Sequence, residues 1–329
     1  MNRHEYYKKL ISISDEKDFT ELALQVFHFQ SKQNKIYSEF VKGLRISEEK
    51  ISRINEIPFL PVEFFKSNVV LTGDESYERI FTSSGTTGSE TSRHYIKDTL
   101  FYEQVFTKIF SSLYGSVSDY TILALLPSYL EREGSSLIYM MEKLILFSDS
   151  DVSGFYLTDF EKLFLVLNKL QQQKKKTILF GVTYALLDFA ASFKINFPEL
   201  IVMETGGMKG KRKEMVREEV HELLCSGFGV KVIHSEYGMT ELLSQAYSQG
   251  NGIFTPPHWM RVLIRDIYDP LQSNGVKSTG VINIIDLANI DSCAFLSTQD
   301  LGRSYEDNSF EVLGRVDYSD IRGCNLLVE

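Results

Sequence analysis

Two short stretches hold most of the chemistry this chain can be asked to do. The first is Phe81-Thr82-Ser83-Ser84-Gly85-Thr86-Thr87-Gly88-Ser89. Its glycines let the backbone turn N–H groups to one side and approach a ligand closely. Successive N–H groups turned that way form an anion-binding concavity, and Ser and Thr hydroxyls add donors around phosphate oxygens. The run lacks the Gly-Lys-Ser/Thr ending of the Walker loop, so it is not a standard P-loop. The second stretch is His234-Ser235-Glu236-Tyr237-Gly238-Met239-Thr240-Glu241. Tyr237 offers a flat face to a base, and Gly238 admits a close backbone approach. Glu241 offers an oxygen ligand to Mg²⁺. Taken singly, the first is also the composition of a flexible linker. The second also reads as a strand end with a threonine cap and a satisfied glutamate. Found in one chain, they argue together for a nucleotide site.

Such groups need a scaffold, and the pattern predicts an α/β one. Apolar, often β-branched runs at Thr121–Leu126, Thr177–Phe180, Leu200–Glu204, Val230–His234 and Gly280–Ile285 read as buried strands. Helical periodicity covers 98–113, 135–147, 159–173, 184–193 and 209–225. Alternation of this kind packs helices on a sheet, and ligands then sit at the carboxyl ends of strands. A helix over Leu242 to Tyr247 is expected after the second stretch, placing Thr240 near a helix N-terminus that favours phosphate. Before this region, residues 1 to about 55 read as amphipathic helices, with Phe19, Leu22, Leu24, Val26 and Phe27 in one segment and Ile36, Tyr37, Phe40, Val41 and Leu44 in the next. Two prolines force Ile57–Val62 into an extended connection. From about residue 250 turn signals multiply and predict a smaller strand-rich subdomain.

The composition sets outer bounds. The chain has 329 residues, 43% hydrophobic and 24% charged, with a formal charge of −9. This is globular composition, and the charge argues against a nucleic-acid partner. No apolar run is long enough to span a bilayer. The opening residues do not read as a signal peptide. Cys225, Cys293 and Cys324 are too few and too scattered for a disulfide framework. A reducing cytoplasm is therefore expected.

The paired stretches resemble the adenylate-forming superfamily of acyl-CoA synthetases, adenylation domains and luciferases. Thr205-Gly206-Gly207, Thr298-Gln299-Asp300 and Gly314-Arg315-Val316-Asp317 are similar to further motifs of that superfamily. Pro61-Val62-Glu63-Phe64-Phe65-Lys66, Ser92-Arg93-His94 and Glu204–Gly210 are closest to the LuxE-type acyl-protein synthetases. The resemblance implies ATP and Mg²⁺ as cofactors, with Ser83, Ser84, Gly85, Thr86, Thr87 and Gly88 around the phosphates. It implies Gly206, Gly207, Tyr237 and Gly238 about adenine, and Asp300 on the ribose. Arg315 is counted with the nucleotide set, Thr240 is placed on the α-phosphate, and Glu241 is placed on the metal. It further implies activation of a fatty acid as acyl-AMP and transfer to a cysteine.

Residues 1–313 are expected to form the acyl-activating domain, with 314–329 a short tail carrying Cys324. The superfamily's small C-terminal domain, with its lysine, is expected to be largely absent. Beside Arg322, the Cys324 thiol suits an acyl acceptor, since a nearby cation favours thiolate; a small residue in a tail is the plain alternative. An acyl-reductase or acyl-carrier protein is the expected partner. Two rival functions stand beside this one. One is a ligase related to phenylacetate-CoA ligase that uses an external thiol. The other is a non-catalytic nucleotide-binding subunit. His94 and His234 are the histidines expected nearest the site, with His234 equally readable as a core residue.

Overall fold

The computed structural model describes residues 3–74, 76–83, 91–127, 134–206, 215–269, 275 and 277–316. They gather into two compact units, one comprising Met1–Phe64, Val70–Gly73 and His258–Glu329, the other Phe65–Val69 and Asp74–Pro257, each so far as described.

The first unit opens with three helices, α1 (Arg3–Ile11), α2 (Glu16–Gln33) and α3 (Lys35–Gly43), followed by a two-residue strand β1 (Leu60–Pro61). Asp15 caps α2 by accepting from Asp18 N, which satisfies one of its orphan donors. The apolar face of α2 buries Phe19, Leu22, Ala23, Val26 and Phe27. Phe295 joins this core, stacked on Tyr37 at 5.9 Å and edge-on to Phe27 at 6.1 Å. Polar side chains do the rest of the joining. The fully buried Gln30 donates to the carbonyls of Asn289 and Ile290 and accepts from Ala294 N. Asn34 donates to Ser292 O at 2.7 Å, and Tyr6 to Leu287 O at 2.6 Å.

The second unit begins with a helical turn α4 (Phe64–Ser67), shared at its first residue with the other unit, and a hairpin of β2 (Arg79–Thr82) and β3 (Arg93–Ile96). Then follow α5 (Thr99–Tyr114), β4 (Thr121–Leu125), α6 (Ser136–Phe147), β5 (Gly154–Phe155), α7 (Phe160–Gln172), β6 (Thr177–Val182), α8 (Thr183–Ser192), β7 (Ile201–Thr205), α9 (Arg217–Phe228), β8 (His234–Tyr237), β9 (Ala246–Ser248) and β10 (Ile253–Thr255). The strand order is β5-β4-β6-β7-β8-β9-β10. The strands from β5 to β8 are parallel, and β9 and β10 turn antiparallel. Every residue of β4 and β6 is buried, as parallel strands covered on both faces require. The order reverses between β4 and β6, the kind of switch point where α/β sheets take ligands.

The chain then returns to the first unit as β11 (Met260–Arg265), β12 (Thr279–Asp286), β13 (Phe295–Ser304) and β14 (Phe310–Arg315), an antiparallel meander. The strand-rich character expected past residue 250 is present. No helix among the described residues is long and apolar enough to cross a membrane.

Two local expectations are corrected. The strand expected at Val230–His234 begins only at His234. Gly229 ends α9 in the left-handed conformation, at φ 68°, and the residues that follow, up to His234, form an irregular connection. The helix expected from Leu242 to Tyr247 is instead an irregular buried segment running into β9. Pairing of β9 with β8, Glu236 opposite Tyr247 and Tyr237 opposite Ala246, overrides the helical propensity of a segment buried on all sides.

Candidate functional site

The carboxyl ends of β6, β7 and β8 lie side by side, with Val182 opposite Thr205 and Glu204 opposite Ser235. Here two carboxylates, the half-buried Glu204 and the buried Glu236, are built into the carboxyl edge of the sheet. Thr183 Oγ1 donates to Glu204 Oε2 at 2.6 Å. His221 Nε2, on α9, stands 3.7 Å from Glu204 Oε1, an electrostatic rather than a hydrogen-bonding separation. Burial pushes the Glu204 carboxyl up, but His221 and the hydroxyls beside it more than offset this and hold it below its usual value. One strand along, Thr205 Oγ1 donates to Glu236 Oε2 at 2.6 Å.

That second carboxylate explains the glycine of the tyrosine-glycine motif. A Cβ on Gly238 would fall 2.4 Å from Glu236 Oε1, closer than real contacts allow. Gly206, directly after Thr205, has φ 75°, a conformation costly for any residue with a side chain. Tyr237 is buried at 9% exposure, its ring meeting that of Phe254 at 5.9 Å. Arg217 lies over the Phe254 ring at 5.7 Å. Thr240 is half-buried in a turn, and Glu241 is buried at 7% exposure. With no helix following, Thr240 has no helix N-terminus to lend it positive charge, which corrects that part of the expectation.

The hairpin of β2 and β3 carries the first three residues of the other stretch, Phe81, Thr82 and Ser83. Its last described pairings are Ser83 N to Ser92 O at 3.1 Å and Ser92 N to Ser83 Oγ at 2.9 Å. Phe81 is buried against Tyr102 and Tyr139, each at 5.5 Å. Arg79 lies over the Tyr139 ring at 4.8 Å. On β3, His94 Nδ1 lies 2.8 Å from Thr240 O. A carbonyl only accepts, so Nδ1 carries the proton. The His94 ring is 1% exposed and stands edge-on to Phe65 at 5.5 Å. Burial drives its pKa down to about 4, so it is neutral at pH 7.

Ser84, Gly85, Thr86, Thr87, Gly88, Gly207 and Cys324 lie outside the described residues. Asp300 and Arg315 belong to the other unit, where Arg315 Nε donates to Asp300 Oδ1 at 3.1 Å across the β13–β14 register. His234, at the start of β8, bonds Tyr114 Oη through Nδ1 at 3.0 Å, and burial lowers its pKa. Arg93 is exposed and donates to Lys66 O. Sequence reasoning missed Thr183, His221 and Glu236 as part of this cluster. The available signal was the acidic Glu204 inside the apolar run of β7; the polar His234–Tyr237 run gave none.

The sequence profile of the acyl-protein synthetases, LuxE, matches residues 11–329. The chain belongs to the LuxE acyl-protein synthetase family. No curated protein sequence matches it. Among solved structures, this LuxE-family chain is similar to an open conformation of 2-hydroxyisobutyryl-CoA ligase in complex with 2-HIB-AMP and CoA. The TM-score is 0.69 at 10% identity, over 92% of this chain and 70% of that one. It is similar to ATP-bound MatB from Rhodopseudomonas palustris, with a TM-score of 0.54 at 16% identity, over 72% of this chain and 47% of that one. It is also similar to a long-chain-fatty-acid-CoA ligase, FadD1, from Archaeoglobus fulgidus, with a TM-score of 0.54 at 16% identity, over 79% of this chain and 55% of that one. The chain thus spans about half the length of MatB. At these identities the likeness is one of fold, the α/β fold of the N-terminal domain of adenylate-forming enzymes.

Proposed function

We propose that the protein activates a carboxylic acid, a fatty acid by preference, as acyl-AMP and passes the acyl group to a thiol. The observation that carries this reading is the bond from His94 to the Thr240 carbonyl. It joins the hairpin flanking Ser84–Gly88 to the Tyr237–Glu241 segment, at the carboxyl edge of a parallel sheet. In this reading the loop residues Ser83–Gly88 take the ATP phosphates and Thr240 the α-phosphate. Gly206, Gly207, Tyr237 and Gly238 take adenine, and Asp300, supported by Arg315, takes the ribose.

A substrate carboxylate oxygen attacks the α-phosphorus of ATP and pyrophosphate leaves. A thiolate then attacks the acyl carbon, and AMP leaves with the bonding pair. Bringing two anions together is the difficulty, so positioning and charge neutralisation supply most of the catalysis. Glu241 suits Mg²⁺ as a buried carboxylate. An ion there would be held mainly by substrate phosphates and water. Such an ion neutralises phosphate charge.

The acceptor thiol in this reading is Cys324. The two described cysteines are poor nucleophiles. Cys293 is fully buried with its thiol pushed up to about 12, and burial also raises the Cys225 thiol. An acyl-reductase or carrier protein would then collect the acyl group.

The test is ATP–pyrophosphate exchange across a panel of acids, followed by recovery of labelled acyl groups on the denatured protein. Exchange stimulated by a fatty acid, with hydroxylamine-labile label on the chain, supports the reading. Absence of exchange with every acid favours a non-catalytic nucleotide-binding subunit. Label found only on added CoA defeats self-acylation and favours an external thiol.

A further inference from the structure

The extended Pro61-Val62-Glu63 segment has no part in the steps above, yet its place in the first unit is specific. One edge of β13 serves two partners. β1 takes the first half, with Leu60 opposite Leu296 and Pro61 opposite Ser297. β14 takes the second half, from Asp300 opposite Arg315 to Ser304 opposite Phe310. The seam between them falls at Thr298 and Gln299. Two alternate carbonyls on that edge are claimed from either side of it: Val62 N donates to Ser297 O at 3.0 Å, and Val316 N to Gln299 O at 2.8 Å. The Gln299 side chain closes the seam, donating from Nε2 to Glu63 Oε1 at 2.5 Å. The next residue is Asp300, buried at 7% exposure. Its amide donates to Thr298 Oγ1 at 3.0 Å, and that hydroxyl donates to Ile282 O at 2.8 Å.

We infer that Glu63 is a positioning residue for Asp300, acting through Gln299 to set how the Asp300 carboxylate meets the ribose hydroxyls. The inference rests on the nucleotide reading given above. Its physical basis is the coupling of neighbours in a strand, where the backbone torsions at position 299 aim the side chain at 300. A glycine there, as in the motif that Thr298-Gln299-Asp300 resembles, has no side chain with which to fix those torsions. Glutamine does, and its partner is a carboxylate, which makes the bond charge-assisted and stronger than a neutral one. Recognition groups need their aim held to within about 10–20°, and a tether one residue away supplies that.

The experiment compares equilibrium binding of ATP and 2′,3′-dideoxy-ATP to the full chain. The variants are Glu63→Ala, Gln299→Gly, and the double variant Glu63→Gln/Gln299→Glu, which exchanges donor and acceptor. The wild-type protein is expected to prefer ATP. Each single variant is expected to lose about tenfold in ATP affinity and to change little toward the dideoxy analogue. The exchanged pair is expected to recover most of the preference. Equal loss toward both nucleotides would make Glu63 a merely structural residue and overturn the inference. So would a preference retained in both single variants. A wild-type protein that binds ATP without preferring it would remove Asp300 from the ribose, and Glu63 with it. One that binds no ATP would overturn the nucleotide reading itself, a result distinct from the others.

Discussion

Gly238 carries the tightest constraint in the cluster, because the Glu236 carboxylate folds over it while Thr205 holds the other oxygen. Gly238→Ala must displace that carboxylate. It is expected to reduce acid-dependent exchange by at least about tenfold, from misplacement of the Tyr237–Glu241 backbone. Exchange kinetics beside circular dichroism check this. Wild-type exchange in the alanine variant would show that Glu236 moves aside freely.

His94 gives a prediction in pH. Its pKa falls from 6.5 unfolded to about 4 folded. Between these values the unfolded chain binds more protons, so stability falls as pH drops from about 6.5 toward 4 and is unaffected by this group above that window. The full shift corresponds to about 3 kcal/mol. Urea midpoints at pH 7.5 and 5 are expected to differ less in His94→Gln than in the wild type; His234, also lowered by burial, supplies a remaining slope of the same sign.

At the scale of elements, the aromatic contacts of Phe81 and the His94 imidazole are among the ties that hold the β2–β3 hairpin. Tyr139, on α6, receives Phe81 and Arg79 together. Tyr139→Ala removes both and is expected to cost about 2–4 kcal/mol in urea unfolding. The same change is expected to raise the KM for ATP, since the hairpin leads into Ser84–Gly88. An unchanged KM would mean that the loop takes its position from elsewhere. In the other unit, Gln30 shows how a helix grips a connection between strands. Gln30→Leu leaves the carbonyls of Asn289 and Ile290 and the Ala294 amide without that partner. About 2–4 kcal/mol of destabilisation is expected on the cost of unpaired buried groups, measurable by thermal unfolding.

For the molecule as a whole, one compact unit is assembled from the two ends of the chain and the other from its middle. Three substitutions bear on the two proposed half-reactions. Glu241→Gln is expected to reduce exchange sharply and transfer with it. Cys324→Ser is expected to spare exchange and abolish protein-bound label. Cys293→Ala is expected to spare both, because a fully buried thiol with a raised pKa offers no nucleophile. Equal loss of exchange and label in Cys324→Ser would show that this cysteine serves structure rather than transfer.

Much was legible from order along the chain alone. The α/β class, strands β4, β6 and β7 and the helices between them follow from local pattern, because a strand buried on both faces must be apolar throughout and a helix must show its period. Local pattern failed where a distant partner outweighed it. The Leu242–Tyr247 segment became a strand entry because β8 lay ready to pair with it, and Val230–Ile233 became an irregular connection after Gly229 closed α9. The acids Glu204 and Glu236 look like exposed charges until the hydroxyls of Thr183 and Thr205 arrive from neighbouring elements to bond them. That Glu63 touches Gln299, 236 residues away, was beyond any reading of neighbours. Sequence fixes what each residue prefers; only the folded chain decides which preferences meet, since hydrogen bonds and close contacts depend on distances that tertiary packing alone sets.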